Sequence, residues 1–206
     1  MRLELWTYPF YVLFHPFKGF WDLKYERMGK LRIAFAILAL LTVTFILERQ
    51  YAGFLVNDND PRHLNSINEL KYLVVPFFLW CVSNWCLTTL MDGEGKFREI
   101  VMVTGYSLLP LIVIHLPNIL FSNVIILRES AFYDFLNSLA FLWFVWLLFI
   151  GTMTVHQFTV AKTLVTMGLT LVVAGIIVFL GLLAFSLVNQ IASFVMTIYH
   201  ELSLRM

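Results

Sequence analysis

Five long stretches of uncharged, mostly apolar residues alternate with short charged segments along the chain. They run from Ile33 to Leu47, Tyr72 to Met91, Ile100 to Leu127, Phe135 to Ala161 and Thr163 to His200. About 20 helical residues cross a hydrocarbon core of about 30 Å, and charged side chains inside that core are unfavourable. The pattern therefore predicts an all-α polytopic membrane protein with five transmembrane helices and a helical segment at the membrane surface near each terminus.

Polar interruptions set the limits of the predicted spans, which cover about residues 31–50, 71–91, 99–117, 137–156 and 163–188. Pro117 and Asn118 end the third span in this prediction, so that the following residues lie along the surface. Asn189 and Gln190 end the fifth, because too few apolar residues follow for another crossing. Residues 190–206 then form an outer amphipathic helix. The chain is predicted to be one integral membrane domain, residues 1–206.

The basic residues predict how the protein is oriented. Five spans place the termini on opposite sides of the membrane. The side of the N-terminus carries nine basic residues: Arg2, Lys18, Lys24, Arg27, Lys30, Arg32, Lys96, Arg98 and Lys162. The other side carries five: Arg49, Arg62, Lys71, Arg128 and Arg205. Because basic residues accumulate in cytoplasmic loops, the N-terminus is predicted to be cytoplasmic and the C-terminus outside.

Residues 1–30 combine aromatic rings with lysine and arginine, and contain Pro9 and Pro16. Both residue types favour the headgroup region of the inner leaflet. The segment is interpreted as a cytoplasmic interfacial anchor for the first span. A docking surface for a partner protein is the alternative.

The composition narrows the classes of function. Hydrophobic residues make up 60% of the chain, charged residues 13%, and the net charge of +1 gives no reason to expect nucleic-acid binding. No aspartate or glutamate falls in the middle of a predicted span, which argues against a proton-driven carrier or an intramembrane protease that uses a carboxylate. His115 and His156 are predicted to lie in opposite leaflets. We therefore expect no catalytic residues, no metal site and no cofactor.

Several residues suit helix packing in lipid. Ala161, Gly168 and Gly175 are seven residues apart and form a stripe of small residues on the fifth span, which is typical of close helix approach. Asn84 in the second span can form a hydrogen bond to a neighbouring helix. Pro76 and Pro110 are expected to kink the second and third spans.

A short string in the third span resembles the signature of the Yip domain family, named for Ypt-interacting proteins. The string consists of Gly105, Tyr106, Ser107, Leu108, Leu109 and Pro110. The opening His15-Pro16-Phe17 is similar to the bacterial branch, and the likeness extends over residues 12–205. The resemblance implies five spans with a cytoplasmic N-terminus, and its bacterial branch implies a bacterial plasma membrane. Eukaryotic members carry Asp-Leu-Tyr-Gly-Pro before the first span, whereas Asp22-Leu23 here continues Lys-Tyr-Glu, so GTPase binding is not carried over.

Two functions remain open from the sequence. The first is a non-enzymatic adaptor, scaffold or accessory subunit that contacts membrane lipids and other integral membrane proteins; the resemblance implies permeases of carbohydrate ABC importers as one candidate partner. A homo-oligomer is compatible with the same features. The alternative is a translocator that moves a small solute or a lipid along a polar path between kinked helices, lined by Asn84, Tyr106, Ser107, His115 and Asn118.

Overall fold

The computed structural model describes residues 7–57 and 65–203. Over these residues the chain forms eight α-helices: α1 (Tyr8–Phe14), α2 (Pro16–Tyr25), α3 (Leu31–Tyr51), α4 (Ser66–Leu90), α5 (Phe97–Ser107), α6 (Leu109–Ser122), α7 (Ser130–His156) and α8 (Val160–Ser203). A short 3-10 turn, Leu127–Glu129, precedes α7. The first six residues of the predicted N-terminal segment and the last three of the predicted outer helix lie outside the described residues.

Five helical stretches are long and apolar enough to cross a membrane, which confirms the predicted fold class. They are α3, α4, the consecutive helices α5 and α6, α7, and α8 as far as Ile198. The third stretch, Phe97–Ser122, lies at the centre of the bundle, since 72% of its most apolar window is buried. α3, α4 and α7 pack around it.

The third span is broken at its middle and continues past its predicted end. α5 stops at Ser107 and α6 starts at Leu109, because Pro110 in the first turn of α6 has no N–H to donate to the preceding turn. The break confirms the kink expected at Pro110. The predicted exit at Pro117 is wrong: α6 runs through Pro117 to Ser122, and a membrane helix tolerates the single lost hydrogen bond. α7 starts at Ser130, earlier than predicted.

The N-terminal helices belong to the core as well as to the surface. Val12 and Phe20 are fully buried, and the Tyr8 hydroxyl donates a hydrogen bond of 2.7 Å to the carbonyl oxygen of Gly19. α2 packs against α7. Description of this segment as an interfacial anchor is therefore incomplete, since only its outer face, with Phe14 and Trp21, is exposed.

α8 is one continuous helix of 44 residues, Val160–Ser203. The helix does not break at Asn189 and Gln190, so the separate helix predicted after them is wrong. Asn and Gln fit a helix interior at a small loss in propensity, so neither residue breaks it. At 1.5 Å per residue the helix is about 66 Å long, more than twice the thickness of a hydrocarbon core of about 30 Å.

Candidate functional site

The family string in the third span has a structural role in the bundle centre. A Cβ atom on Gly105 would lie 2.6 Å from the Cβ of Ala34, so α5 approaches α3 closely here. The Tyr106 hydroxyl accepts a hydrogen bond of 3.2 Å from the backbone N–H of Lys30. Ser107 donates to the Val103 carbonyl of its own helix at 2.8 Å. Leu108, Leu109 and Pro110 form the buried break between α5 and α6. These residues fix the bundle rather than line a site.

Polar side chains gather at the end of the bundle where α3 ends and α4 and α7 begin, which we call the distal end. Glu48, in the last turn of α3, is the centre of this group. Its Oε2 lies 2.9 Å from Nδ1 of His115 on α6, and its Oε1 accepts a hydrogen bond of 2.7 Å from the Tyr133 hydroxyl on α7. Glu48 therefore links three spans.

A second acidic residue lies at the same end. Glu69, in the first turn of α4, is 8% exposed and forms an ion pair of 2.8 Å with Nη1 of Arg49. The Arg49 side chain is 40% exposed. Together Glu48, Arg49, Glu69 and Tyr133 line a pocket of about 380 Å³, which we call the distal pocket.

A larger cavity adjoins the distal pocket. It occupies about 820 Å³ and runs between α4 and α7, with α5 and α6 as its floor and the start of α8 at one side. We call it the α4–α7 groove. Its lining is almost entirely apolar, and Phe45 and Asn137 line both the groove and the distal pocket. The two cavities therefore adjoin at these side chains.

The opposite, proximal end of the bundle is closed by contacts to the turn that joins α4 and α5. Lys24 on α2 donates hydrogen bonds to Glu94 at 2.9 Å and to the Val155 carbonyl at 2.8 Å. Lys162 donates to the Met91 carbonyl at 2.7 Å. The N–H of Gly95 donates a bond of 3.3 Å to Nδ1 of His156. His115 and His156 thus lie at opposite ends, as predicted.

The five residues of the predicted polar path are not brought together as one path. Asn84 donates a hydrogen bond of 3.3 Å to Thr170 on α8. His115 and Asn118 lie towards the distal end, where the Asn118 amide donates to Asn137 at 2.7 Å. Tyr106 and Ser107 contact the backbone atoms described above. Asn84 forms the predicted hydrogen bond to a neighbouring helix. Its partner, Thr170, is not shared with His115 or Asn118, so these residues do not form one path.

The small-residue stripe does not pack within the chain. A Cβ atom on Gly168 or Gly175 would have nothing within 4 Å, and Ala161 is exposed. α8 contacts α4 through its opposite face, where Thr163, Thr166 and Thr170 are fully buried. Each threonine donates a hydrogen bond to the carbonyl oxygen four residues before it, which allows it to pack in an apolar setting. The packing role predicted for Ala161, Gly168 and Gly175 therefore has no partner among the described residues.

Sequence reasoning missed the distal residues Glu48, Glu69, Tyr133 and Asn137. Glu48 lies at the end of the first predicted span and Glu69 just before the second, and a position at the edge of a span indicates no site by itself. Asn137, a polar residue at the start of the predicted fourth span, was the one sign in the sequence of a polar group at this end. The contacts of Glu48 with His115 and Tyr133 join residues 67 and 85 positions apart, which a pattern along one helix does not contain.

These features define a polytopic α-helical membrane protein with five spans and polar clusters at both ends. The sequence model of the Yip1 domain family matches residues 10–183, and the chain belongs to that family. The match includes the string from Gly105 to Pro110. No curated protein and no solved structure matches the chain.

Proposed function

We propose that this protein is a non-enzymatic membrane adaptor that holds another integral membrane protein through the free part of α8. One observation carries the proposal: from Val178 to Ile198 every residue of α8 is exposed. This length of helix is anchored to the bundle only by its first turns. Membrane helices gain stability from close packing against other helices, and α8 has an unused small-residue stripe for that purpose.

The stripe and the free segment are contiguous. Gly168 and Gly175 leave one face of α8 open to a second helix. The exposed apolar residues that follow them continue the same helix. The partner is therefore a helix of an integral membrane protein. Permeases of carbohydrate ABC importers are a specific candidate that rests on the family resemblance alone.

A photo-crosslinking residue placed at Leu182 or Phe185 tests this proposal in native membranes. Both side chains are exposed, whereas Thr166, the matched control on the same helix, is buried against α4. We expect the two exposed positions to capture a defined integral membrane protein and Thr166 to capture none. Gly175→Leu should weaken the capture, because the added side chain prevents close approach. Adducts with lipid alone would contradict the proposal, and adducts with a second copy would replace the adaptor by a homo-oligomer.

The alternative function, translocation along a polar path, has less support. Asn84 and His115 have separate partners, and the void beside Asn84 and His156 has no room for a water molecule. A transport assay in vesicles with Asn84→Leu tests this alternative. Solute or lipid movement that Asn84→Leu abolishes would favour translocation over the adaptor.

A further inference from the structure

The α4–α7 groove has the length of one membrane leaflet. Its lining on α7 extends from Asn137 to Leu148, 11 residues along the helix. At 1.5 Å per residue this is about 16 Å, close to half of a hydrocarbon core of about 30 Å. Its volume of about 820 Å³ lies within the range of about 300–1,000 Å³ that is typical of small-molecule sites.

The groove and the distal pocket differ sharply in chemistry. Aromatic and aliphatic side chains such as Phe77, Trp80, Phe141 and Phe144 line the groove. The distal pocket, at the helix ends, has charged and hydrogen-bonding groups instead. A ligand that fills both must therefore be an amphiphile with its polar end towards the ends of α3 and α4.

The charges in the distal pocket indicate the headgroup. Among the described residues that line the pocket, the carboxylates of Glu48 and Glu69 outnumber the guanidinium of Arg49, which favours a cationic group beside the partners His115 and Tyr133 that Glu48 already has. A guanidinium has five N–H donors, and the ion pair with Glu69 engages only Nη1, so Arg49 keeps donors for a phosphate oxygen. A headgroup with a phosphate and a primary ammonium satisfies both. Choline has no N–H to donate to a carboxylate, and a glycerol headgroup has no cation.

We propose that the distal pocket and the α4–α7 groove together bind one ethanolamine phospholipid. Its ammonium group faces the carboxylates of Glu48 and Glu69, its phosphate faces Arg49, and its acyl chains lie along Phe141 and Phe144. The groove includes Gly168 but not Gly175, so a bound lipid covers only the start of the small-residue stripe and leaves Gly175 and the free part of α8 to the partner.

Titration of the detergent-solubilised full-length protein with phosphatidylethanolamine, phosphatidylcholine or phosphatidylglycerol, followed by native mass spectrometry, tests the site. We expect one bound phosphatidylethanolamine per chain, with an affinity about tenfold above that for the other two lipids. Equal occupancy by all three lipids would overturn the headgroup assignment. Absence of a one-to-one complex would overturn the site.

Two matched variants separate the site from nonspecific lipid contact. Gly168 lines the groove and Gly175 does not, yet a Cβ atom at either position meets open space. Gly168→Leu should fill the groove and weaken phosphatidylethanolamine binding about tenfold, whereas Gly175→Leu should bind as the parent protein does. Leucine favours a helix more than glycine, so neither change should unfold α8. Unchanged binding by Gly168→Leu would contradict the proposal.

The headgroup is tested in the same way. Glu69→Gln should lower the preference for phosphatidylethanolamine over phosphatidylcholine about fivefold, roughly 1 kcal/mol at this ratio. Glu26→Gln, which changes an exposed carboxylate at the proximal end, is the control and should keep the full preference. Retention of that preference by Glu69→Gln would overturn the role of Glu69. If a second copy of α8 fills the groove instead, crosslinks between copies at Leu148 would replace lipid binding, and the proposal would be wrong.

Discussion

Gly105 and Ala34 mark the closest contact between α5 and α3: a Cβ atom on Gly105 would lie 2.6 Å from the Cβ of Ala34 and 3.0 Å from its Cα. Neither helix can move away easily, because the third span is the most buried of the five. The glycine of the family string is therefore required by the packing of two spans, and not by a special backbone angle.

We expect Gly105→Ala to lower the free energy of unfolding by about 1–3 kcal/mol, as overpacking of a core does. Equilibrium unfolding in mixed detergent micelles measures the loss. Adding Ala34→Gly should restore part of it, since the second change removes the atom that clashes. Gly175→Ala, where a Cβ atom meets open space, is the control and should not destabilise the protein. A double variant no more stable than Gly105→Ala would contradict this account.

The hydrogen bond from Tyr133 to Glu48 predicts a coupling between α7 and α3. Tyr133→Phe removes a bond of 2.7 Å to a carboxylate, and we expect a loss of about 1.5 kcal/mol, since Glu48 is partly exposed. The same change in a Glu48→Leu background should lose much less, because the acceptor is already absent. Tyr51→Phe, at an exposed ring, is the control. Additive losses would show that the two side chains do not interact.

Gln157 ends α7 in the left-handed conformation, with φ of 57° and ψ of 35°. A glycine adopts this conformation without the steric penalty that a side chain has. We expect Gln157→Gly to raise the free energy of unfolding by about 0.5–1 kcal/mol and to raise Tm. Gln190→Gly, inside the right-handed helix α8, should have the opposite sign and lose about 1 kcal/mol of local helix stability. Equal effects at the two positions would contradict this explanation.

The five-span arrangement predicts on which face of the membrane each terminus of the chain lies. Reporter tags fused at residues 1 and 206 should lie on opposite faces of the membrane, because five spans separate them. The N-terminal tag should be cytoplasmic, given the excess of basic residues on its side. Protease or reagent accessibility in sealed membrane vesicles gives the measurement, and a tag in the turn after Met91 should lie on the same face as the N-terminal tag. Tags on one face would contradict the five-span arrangement.

The spans could be predicted from the sequence because lipid requires a long apolar run for each crossing, and a run is a local property. The ends of the helices were harder to predict than their existence. Pro117 is a helix breaker, yet α6 continues through it because only one hydrogen bond is lost. Asn189 is polar, yet α8 continues through it because asparagine lowers helix propensity only slightly.

The distal cluster and the buried faces of α1 and α2 could not be predicted, because both depend on contacts between distant parts of the chain. The Glu48 carboxylate links three spans only because His115 on α6 and Tyr133 on α7 lie beside it in the folded bundle. The inner face of α2 depends likewise on α7, against which Phe20 packs beside Gly151. Among the residues predicted to pack helices together, Asn84 forms a hydrogen bond to α8 as expected. The stripe of Ala161, Gly168 and Gly175 contacts no other helix among the described residues.

The length of α8 has a mechanical consequence for the membrane around it. A rod of about 66 Å would need a tilt of about 60° to remain within a flat hydrocarbon layer of about 30 Å, far above the 0–40° usual for such helices. The bilayer must therefore thicken, curve or be pierced beside the protein. Unless a partner covers it, the apolar end of α8 would be uncovered first where the membrane is thin.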